Sequence, residues 1–574
     1  MSFAGFEKLY TKEGESLSEK IWNVYPRPQM KRNSFYSLNG TWDFGCGFEK
    51  VYDEKIRVPF APESLLSGIG RGHNKGEKLF YRRGFSLPEE FHGGRVLLHI
   101  GACDQVCDVY LNGREIGKHE GGYHPFYFDV TDALQKENTI EISVTDELHS
   151  HEFPYGKQTD KRGGMWYTPV SGIWQTVWME CVREKYIRKL SIQTGADWAE
   201  ITVDGGCDCG EVILYGDKEI SFPLVGGKTK ISIDNPVLWS PENPHLYTFT
   251  VVSGEDRVDS YFALRTLETK EIGGIKRMCL NGKPYFFHGV LDQGYYPDGL
   301  FTPAAPENYE KDILFLKSLG FNTLRKHIKC EPEWFYYLCD KLGMCVFQDM
   351  INNGDYNFIR DTALPTVGFK KKNDVRAHRN EKTRKRFIEC MEETAERLKN
   401  HPSIVYWTIF NEGWGQFDSQ RMYEKMKEMD DSRFIATVSG WFKGADTDVT
   451  AEHVYFKPVK IKRGDKPVLV SEFGGYAYRE KGHVFNPDKE FGYKKFASRK
   501  ELSEGICALY QNEIIPAIEK GLCGSIYTQL SDVEDEINGL ITYDRRVMKV
   551  LPEEFLPVSK AIFAEMEKII KERG

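Results

Sequence analysis

The sequence has 574 residues, too many for one hydrophobic core, and at roughly 100–200 residues per domain it predicts three or four folded units. Its 77 basic and 85 acidic residues are mixed along the chain and give a formal charge of −8, which excludes a polyanion such as nucleic acid as the partner. No segment approaches the ~20 apolar residues that cross a bilayer, and the first residues lack the pattern of a signal peptide. We therefore expect a cytoplasmic protein with no membrane partner.

Thirteen cysteines are scattered through the sequence, and two close pairs, Cys103/Cys107 and Cys207/Cys209, stand at a spacing that zinc ligands can have. Neither pair is accompanied by a second pair at matching spacing, and both lie in strand-like sequence. We therefore predict no metal at these cysteines and no cofactor elsewhere. Free thiols in this number are typical of a reducing compartment.

The first half of the sequence has the pattern of β-sandwiches. From about residue 36 to 183, short runs such as RVLLHIGA, DVYLNGREIG and TIEISVTD alternate apolar and polar residues between turns. A second stretch, with KLSIQTG and LYTFTVVSG, has the length and strand spacing of a small immunoglobulin-like sandwich. We assign residues 1–183 to a first β-sandwich domain and residues 184–268 to a second, immunoglobulin-like one.

The pattern changes after about residue 270, where short apolar strands alternate with helical stretches. SIVYWTIFN and PVLVSEFGG are examples of the strands, and NEKTRKRFIECMEETAERLKN is an example of the helices. Strand and helix in alternation over about 300 residues predict a (β/α)8 TIM barrel, which we place at residues 269–574.

Two glutamates stand where such a barrel carries its chemistry, at the carboxyl ends of the strands. Glu412 follows a fully apolar strand and precedes a Gly-Trp-Gly turn, and Glu472 ends a second apolar strand before a pair of glycines. Hydrolysis of a glycoside requires two carboxyl groups, one to attack the anomeric carbon and one to protonate the departing oxygen. We predict that this pair is the catalytic site.

At these motifs the sequence resembles glycoside hydrolase family 2, the family of the large β-galactosidases, β-glucuronidases and β-mannosidases. FNEGWG resembles the family's acid/base motif, and SEFGG resembles its nucleophile motif. VYLNGREIGKHEGGYHPFYFDVTD and WYTPVSGIWQTVWME are similar to its sugar-binding domain, a jelly-roll β-sandwich. The resemblance covers nearly the whole chain and implies a retaining enzyme with Glu412 as acid/base and Glu472 as nucleophile.

The resemblance also implies roles for eight further residues. Arg325 would hydrogen-bond the nucleophile, Asn411 would hold the 2-hydroxyl of the sugar, and Tyr455 would contact the second oxygen of the nucleophile. The remaining five would bind the sugar as an aromatic platform, as polar contacts or as supporting histidines: Trp441, Tyr527, Gln529, His327 and His453. For both histidines a purely structural role stays open.

The sequence departs from two motifs of the family, one that binds a metal and one that binds the substrate. VFQDMINNGDY lacks the Glu and His that bind magnesium in the large β-galactosidases, so we predict no catalytic metal. LSDVEDEINGLITYDRR carries acids where β-glucuronidases have an Asn-x-Lys pair, and acids would repel an anionic sugar. We therefore expect an exo-acting enzyme for neutral carbohydrate, β-galactosidase-like, with β-mannosidase, β-glucuronidase and α-L-arabinofuranosidase activity as alternatives.

Three further points stay open at this stage. An inactive carbohydrate-binding protein would be expected to have lost one of the two glutamates, whereas a transglycosylase would keep both. Residues 370–386 are strongly basic without interleaved aromatic residues, which favours a solvated loop or lid over a polyanion site. A homo-oligomer is compatible with the composition.

Overall fold

Two β-sandwiches followed by a barrel of parallel strands make up the chain, so the predicted fold class is confirmed. The computed structural model describes residues 5–207, 209–366, 368–369, 374–442, 444–462 and 464–573. Residues 370–373 of the predicted basic loop lie outside these ranges. In the described residues no helix has both the length and the apolar character that a membrane crossing requires.

The first sandwich joins a four-stranded and a six-stranded sheet around one core. In the strand Val106–Leu111, the side chains of Cys107, Val109 and Leu111 are buried and those between them are half-buried. Successive side chains of a strand point to opposite faces, so this alternation supplies one wall of the core. In sheet order the strands are Tyr36–Ser37, Val177–Val182, Arg95–Ile100 and Phe126–Asp129, then Glu54–Val58, Gly40–Gly47, Lys78–Phe85, Asn138–Thr145, Val106–Leu111 and Arg114–Glu120.

The second sandwich is one antiparallel sheet of seven strands that encloses its own core. Its fourth and third strands share only the pair Val225 and Lys228, so the sheet divides there into two halves that pack on each other. In sheet order the strands are Ile187–Thr194, Trp198–Gly205, Lys228–Ser232, Ile220–Val225, Cys209–Leu214, Tyr247–Ser253 and Asp256–Phe262.

The barrel consists of eight parallel strands, numbered β1 to β8 here. Nearly all of their residues are buried, because the strands are covered by helices outside and by their own side chains inside. They are β1 Phe287–Asp292, β2 Thr323–Lys326, β3 Cys345–Asp349, β4 Ile404–Asn411, β5 Phe434–Ser439, β6 Thr450–Val454, β7 Val468–Gly474 and β8 Leu522–Thr528. A short antiparallel sheet, Leu267–Ile272, Ile275–Leu280 and Lys283–Pro284, precedes β1.

Helices follow most of the strands, but not β5 and β6. The main helices are Glu307–Ser318, Glu333–Leu342, Glu381–Leu398, Ser419–Met429, Arg499–Leu509, Ile515–Glu519 and Pro552–Arg573. Between β5 and β7 no helix occurs in residues 440–442, 444–462 and 464–467. Strands β5 and β6 are the one neighbouring pair without a continuous ladder, and the Gly440 N–H donates to the Ala451 carbonyl at 3.4 Å across this seam.

The amino-terminal residues pack on the barrel, although we assigned them to the first sandwich. Leu9, Ile21 and Trp22 join the main barrel core, and the indole of Trp22 donates to the carbonyl of Pro303 at 2.8 Å. The predicted boundary after residue 183 lies between two strands, and the boundary after residue 268 falls within Leu267–Ile272. The three domain ranges stay predictions.

One segment of the first sandwich, residues 155–168, reaches the carboxyl end of the barrel. The Tyr155 N–H donates to the Asn352 carbonyl at 3.0 Å, just after β3. At its other end, the Thr168 N–H donates to a Glu534 carboxylate oxygen at 2.9 Å, just after β8. Segment 155–168 therefore contributes to the wall of the barrel mouth.

Candidate active site

Glu412 and Glu472 meet at the carboxyl end of the barrel. Glu412 follows the last residue of β4, and Glu472 lies two residues before the end of β7. Glu412 has a left-handed backbone, with φ of 51°, and its N–H donates to the Ser439 carbonyl at 2.8 Å. One ligand atom each from Glu412, Glu472 and His453 lie within 4.8 Å of one another, and all three residues are buried. The predicted carboxylate pair is thus brought together by the fold.

Glu472 is held in its ionised form by its neighbours. Arg325 Nη1 donates to Oε1 at 2.9 Å, and the Tyr455 hydroxyl donates to Oε2 at 2.6 Å. Burial raises the pKa of Glu472, but the electrostatic effects of His453 and Arg325, with the hydrogen bond of Tyr455, outweigh burial and lower the pKa to about 2. At neutral pH the carboxylate is charged, as a nucleophile requires.

Arg325 connects Glu472 to two more barrel strands. Its guanidinium binds Asp349 at the end of β3, with Nε to Oδ1 at 3.0 Å, and donates through Nη2 to Asn411 Oδ1 at 2.8 Å. Because the arginine is almost completely buried, these partners fix its orientation toward Glu472. Asp349 also contacts His327, whose Nδ1 lies 2.7 Å from Oδ2. Burial lowers the pKa of His327 to about 4, so the imidazole is neutral at pH 7.

His453 stands between the two carboxylates. Its Nδ1 lies 2.8 Å from Glu412 Oε1 and 3.5 Å from Glu472 Oε2, and its Nε2 lies 2.9 Å from the Ser439 hydroxyl. Among the described residues, Glu412, His453 and Glu472 are the one group of acidic, histidine or cysteine side chains close enough together to hold a metal ion. Arg325 supplies a permanent positive charge beside Glu472, and the absence of a metal stays a prediction.

Tyr455 and Trp441 also lie beside the carboxylates. The Tyr455 ring stacks on Tyr493 at 4.0 Å between centroids, and its hydroxyl lies 2.9 Å from the Thr528 hydroxyl. Trp441 is half-buried and meets the His453 ring edge-on at 6.3 Å. With Asn411, these residues lie around the carboxylate pair, and their contact with sugar stays a prediction.

The structure does not bring Tyr527 to the site as expected. Tyr527 is completely buried and packs on Phe473 and Tyr510, toward the helix that follows β7. Side chains alternate along a strand, so Thr528, the next residue, faces Tyr455 instead. The expectation of a sugar contact by Tyr527 is therefore corrected.

Gln529 makes its contacts with neighbouring polar side chains. Its Nε2 donates to Glu536 Oε2 and to Asn538 Oδ1, both at 2.8 Å. In the structure it is thus a support for Glu536, and its direct contact with sugar stays a prediction.

Three residues near the site were missed by the sequence analysis. Asp349 ends an apolar barrel strand, so the test that selected Glu412 and Glu472 would have found it. Lys157, on segment 155–168, and Glu536, after β8, carried no such pattern. Glu536 lies at the barrel mouth because its loop follows β8, whereas only the packing of a distant part of the chain brings Lys157 there.

The Tyr455 hydrogen bond predicts a shift in pH dependence. Tyr455→Phe removes a donor to the charged form of Glu472, so the pKa of Glu472 should rise from about 2 by roughly one to two units, since a hydrogen bond to a charged group contributes roughly 1.5–3 kcal/mol. Activity requires the ionised form and is lost as pH falls through this pKa. The acid limb of kcat/KM should therefore move to higher pH in Tyr455→Phe. Tyr493→Phe, which keeps the hydrogen bond, should leave the limb in place, and equal limbs in both variants would contradict the assignment.

Comparison with known families agrees with this geometry. Three family models match the chain: "Glycosyl hydrolases family 2, TIM barrel domain" over residues 271–475, "Glycosyl hydrolase 2 galactose-binding domain-like" over residues 73–208, and "Glycosyl hydrolases family 2" over residues 199–265. The chain belongs to glycosyl hydrolase family 2. The resemblance drawn from the FNEGWG and SEFGG motifs is thereby confirmed.

Relatives of this family 2 protein include enzymes for different sugars. The β-galactosidase of Thermoanaerobacter pseudethanolicus is 26% identical over 532 residues, which cover 83% of this chain and 65% of that enzyme. The β-glucuronidase of Pongo abelii is 26% identical over 543 residues, 79% of each chain. The chain spans only 36% of the β-galactosidase of Lactococcus lactis and 42% of that of Priestia megaterium.

Solved structures of family 2 enzymes share the architecture. The β-D-glucuronidase of Dictyoglomus thermophilum superposes with a TM-score of 0.72 at 19% identity, over 95% of this chain and 98% of that chain. A β-galacturonidase from Eisenbergiella tayi gives a TM-score of 0.66 at 19% identity, over 94% and 98%. At this level of identity the likeness concerns the fold.

Proposed function

We propose that this family 2 protein is an exo-acting, retaining glycoside hydrolase with Glu472 as nucleophile and Glu412 as general acid/base. The observation that carries the proposal is the separation of the two carboxylates, whose oxygen atoms approach within 4.8 Å. Retaining glycosidases have carboxyl groups about 5–5.5 Å apart, whereas inverting enzymes need roughly 6.5–9.5 Å to place a water between sugar and base. No such space separates Glu412 and Glu472.

In the first step, a Glu472 oxygen forms a bond to the anomeric carbon while the bond from that carbon to the aglycone oxygen breaks. Glu412 transfers its proton to the departing oxygen, so the aglycone leaves as a neutral alcohol. The ionised state of Glu472, supported by Arg325 and Tyr455, prepares the attack. Asn411 stands beside Arg325, where its amide can donate to the 2-hydroxyl of the sugar as charge develops on the ring.

In the second step, Glu412 accepts a proton from water, and the water oxygen attacks the anomeric carbon. The bond to Glu472 breaks, which regenerates the carboxylate and releases the sugar with its original configuration. His453, 2.8 Å from Glu412 Oε1, holds the acid/base toward the same carbon in both steps.

The proposed substrate is a terminal neutral sugar, with a β-galactoside as the first choice. Three acids follow β8 at the barrel mouth, Glu534, Asp535 and Glu536, and all three are buried. Arg162 pairs with the first two at 3.0 and 3.3 Å, so one cation offsets two acids and these acids keep a negative surplus, which disfavours a uronate. The β-galactosidases among the relatives support the same choice.

Retention of configuration is the expected result for the aryl glycoside that the protein cleaves best among β-galactoside, β-mannoside, β-glucoside, β-glucuronide and α-L-arabinofuranoside. Proton NMR, recorded before the product equilibrates between its anomers, should show the anomer of the substrate as the first product. An inverted first product would disprove the double-displacement mechanism. A catalytically inactive sugar-binding protein would show no turnover on any member of this panel.

A further inference from the structure

Lys157 presents a charged group to the barrel mouth that the mechanism above does not use. The side chain is 7% exposed, and its ammonium lies 4.9 Å from the centre of the Trp414 ring, two residues beyond Glu412. Within the part of the chain that the structure describes, the ammonium has no hydrogen-bond acceptor within 3.5 Å and no carboxylate within 4.0 Å. The ammonium therefore has the Trp414 ring as its neighbour and keeps its three N–H donors available for a bound molecule.

Lys157 is held in this position by its backbone. The Tyr167 N–H donates to the Lys157 carbonyl at 3.0 Å, and the Gly156 N–H donates to the Asn352 carbonyl at 3.4 Å. A Cβ at Gly156 would lie 2.9 Å from the Ile328 carbonyl oxygen, so the chain approaches the barrel as closely as glycine allows. The ammonium is therefore positioned by the docking of one domain on another.

Glu536 is fixed nearby with one oxygen available. Its Oε2 accepts from the Tyr167 hydroxyl at 2.5 Å and from Gln529 at 2.8 Å, whereas no described residue donates to Oε1. Tyr167 thus links the backbone of Lys157 to the side chain of Glu536. Gln529 follows Thr528, whose hydroxyl contacts the Tyr455 hydroxyl beside Glu472, so Glu536 lies at the same end of the barrel as the nucleophile. Burial raises the pKa of Glu536, and the charge of Lys157 lowers it.

We propose that Lys157 and Glu536 form one subsite that binds hydroxyl groups of a neutral glycone, with Lys157 as donor and Glu536 as acceptor. This inference rests on the proposed glycosidase function and adds the residues that select the sugar. The ammonium and the carboxylate are too far apart for an ion pair, and a sugar hydroxyl between them can accept from one and donate to the other. Such a hydroxyl would give the ammonium an acceptor and the carboxylate a donor without adding another charge.

A uronate is a poorer fit for this subsite. Its carboxylate could pair with Lys157, but it would then lie beside the carboxylate of Glu536, which Tyr167 and Gln529 hold in place. Two neighbouring carboxylates repel each other, and the low dielectric of a buried site strengthens the repulsion. The subsite therefore favours neutral sugars over acidic ones through the acceptor Glu536 as well as the donor Lys157.

Deoxy sugars test the subsite directly. The probes are 4-nitrophenyl β-D-galactopyranoside and its 3-, 4- and 6-deoxy derivatives, or the same series for whichever neutral glycoside is cleaved best. We expect Lys157→Met to reduce kcat/KM by about 10- to 100-fold, chiefly through KM, because it removes a buried charged donor and keeps the apolar stem. One deoxy derivative should be cleaved more slowly than the parent glycoside by the wild type, because it lacks the hydroxyl that the subsite binds. In Lys157→Met and Glu536→Gln the same derivative and the parent should differ little, since the partner of that hydroxyl has been removed.

The matched control is Lys161→Met, which removes an exposed lysine from the same segment and should retain both the wild-type kcat/KM and the wild-type deoxy profile. Thermal melting of each variant tests whether the fold is kept.

If removal of the hydroxyl reduces kcat/KM by the same factor in Lys157→Met as in the wild type, the hydroxyl does not bind Lys157. This result would overturn the subsite while leaving the proposed mechanism intact. A wild-type preference for 4-nitrophenyl β-D-glucuronide that disappears in Lys157→Met would overturn the neutral glycone and make Lys157 a carboxylate ligand. If the wild type hydrolyses none of these glycosides, the glycosidase function itself would be refuted.

Discussion

Glu472→Gln is expected to abolish turnover of every glycoside, with kcat reduced by about 10⁴-fold or more, as when other enzymes lose a nucleophile. Glutamine has nearly the same shape, and its amide oxygen can still accept from Arg325. It cannot form the covalent intermediate, because its amide oxygen is a poor nucleophile and carries no charge. The measurement is steady-state hydrolysis of the best aryl glycoside, with melting temperature as the check on folding.

A mechanism-based label separates the nucleophile from a merely structural acid. A 2-deoxy-2-fluoro glycoside with a good leaving group should trap the glycosyl-enzyme, and peptide mass spectrometry should locate the sugar on Glu472. Arg325→Ala is expected to react slowly but to carry the label at the same residue, because it removes support for the carboxylate and not the carboxylate itself. A label on any other side chain, or normal turnover by Glu472→Gln, would refute the assignment.

Glu412→Ala should distinguish substrates by their leaving groups. Natural disaccharides need a proton on the departing oxygen, so their hydrolysis should fall by about 10²–10⁴-fold, the usual contribution of general acid catalysis. Activated aryl glycosides need little protonation and should still form the glycosyl-enzyme. For them the second step becomes limiting, because no base activates the water.

Azide is the test of this second step. A small anion can enter the space left by the Glu412 side chain and needs no base, so it should accelerate turnover of an activated aryl glycoside. The product should be a glycosyl azide with the configuration of the substrate. Glu472→Gln is the matched control, since azide cannot restore a missing nucleophile in this way. Absence of azide rescue, or equal losses on activated and natural substrates, would show that Glu412 is not the acid/base.

The sequence determined the architecture and the two central carboxylates. Alternating apolar residues predicted the sandwiches, and apolar strands between helices predicted the barrel, because both patterns follow from which faces of a strand are buried. Parallel strands of a barrel have their carboxyl ends at the same rim, so the sequence alone predicted that Glu412 and Glu472 lie close together. The same rule would have found Asp349, which ends β3 and binds Arg325.

The sequence could not decide which way side chains near the strand ends point. Tyr527 and Thr528 are neighbours at the end of β8, yet one packs toward the outer helices and the other faces Tyr455. A shift of one residue in register exchanges the two faces of a strand, and no composition pattern in a fully buried strand records that register.

Only the tertiary structure shows which side chains from different parts of the chain meet at the barrel mouth. Lys157 and Glu536 come from different domains, and Tyr167 brings them together through one backbone and one side-chain hydrogen bond. Contacts between distant segments depend on how whole domains dock, which leaves no periodic trace in either segment. The sequence therefore indicated the class of chemistry through Glu412 and Glu472. The packing of segment 155–168 on the barrel decided which charges lie at the barrel mouth, because this part of the molecule is assembled from loops that meet only after folding.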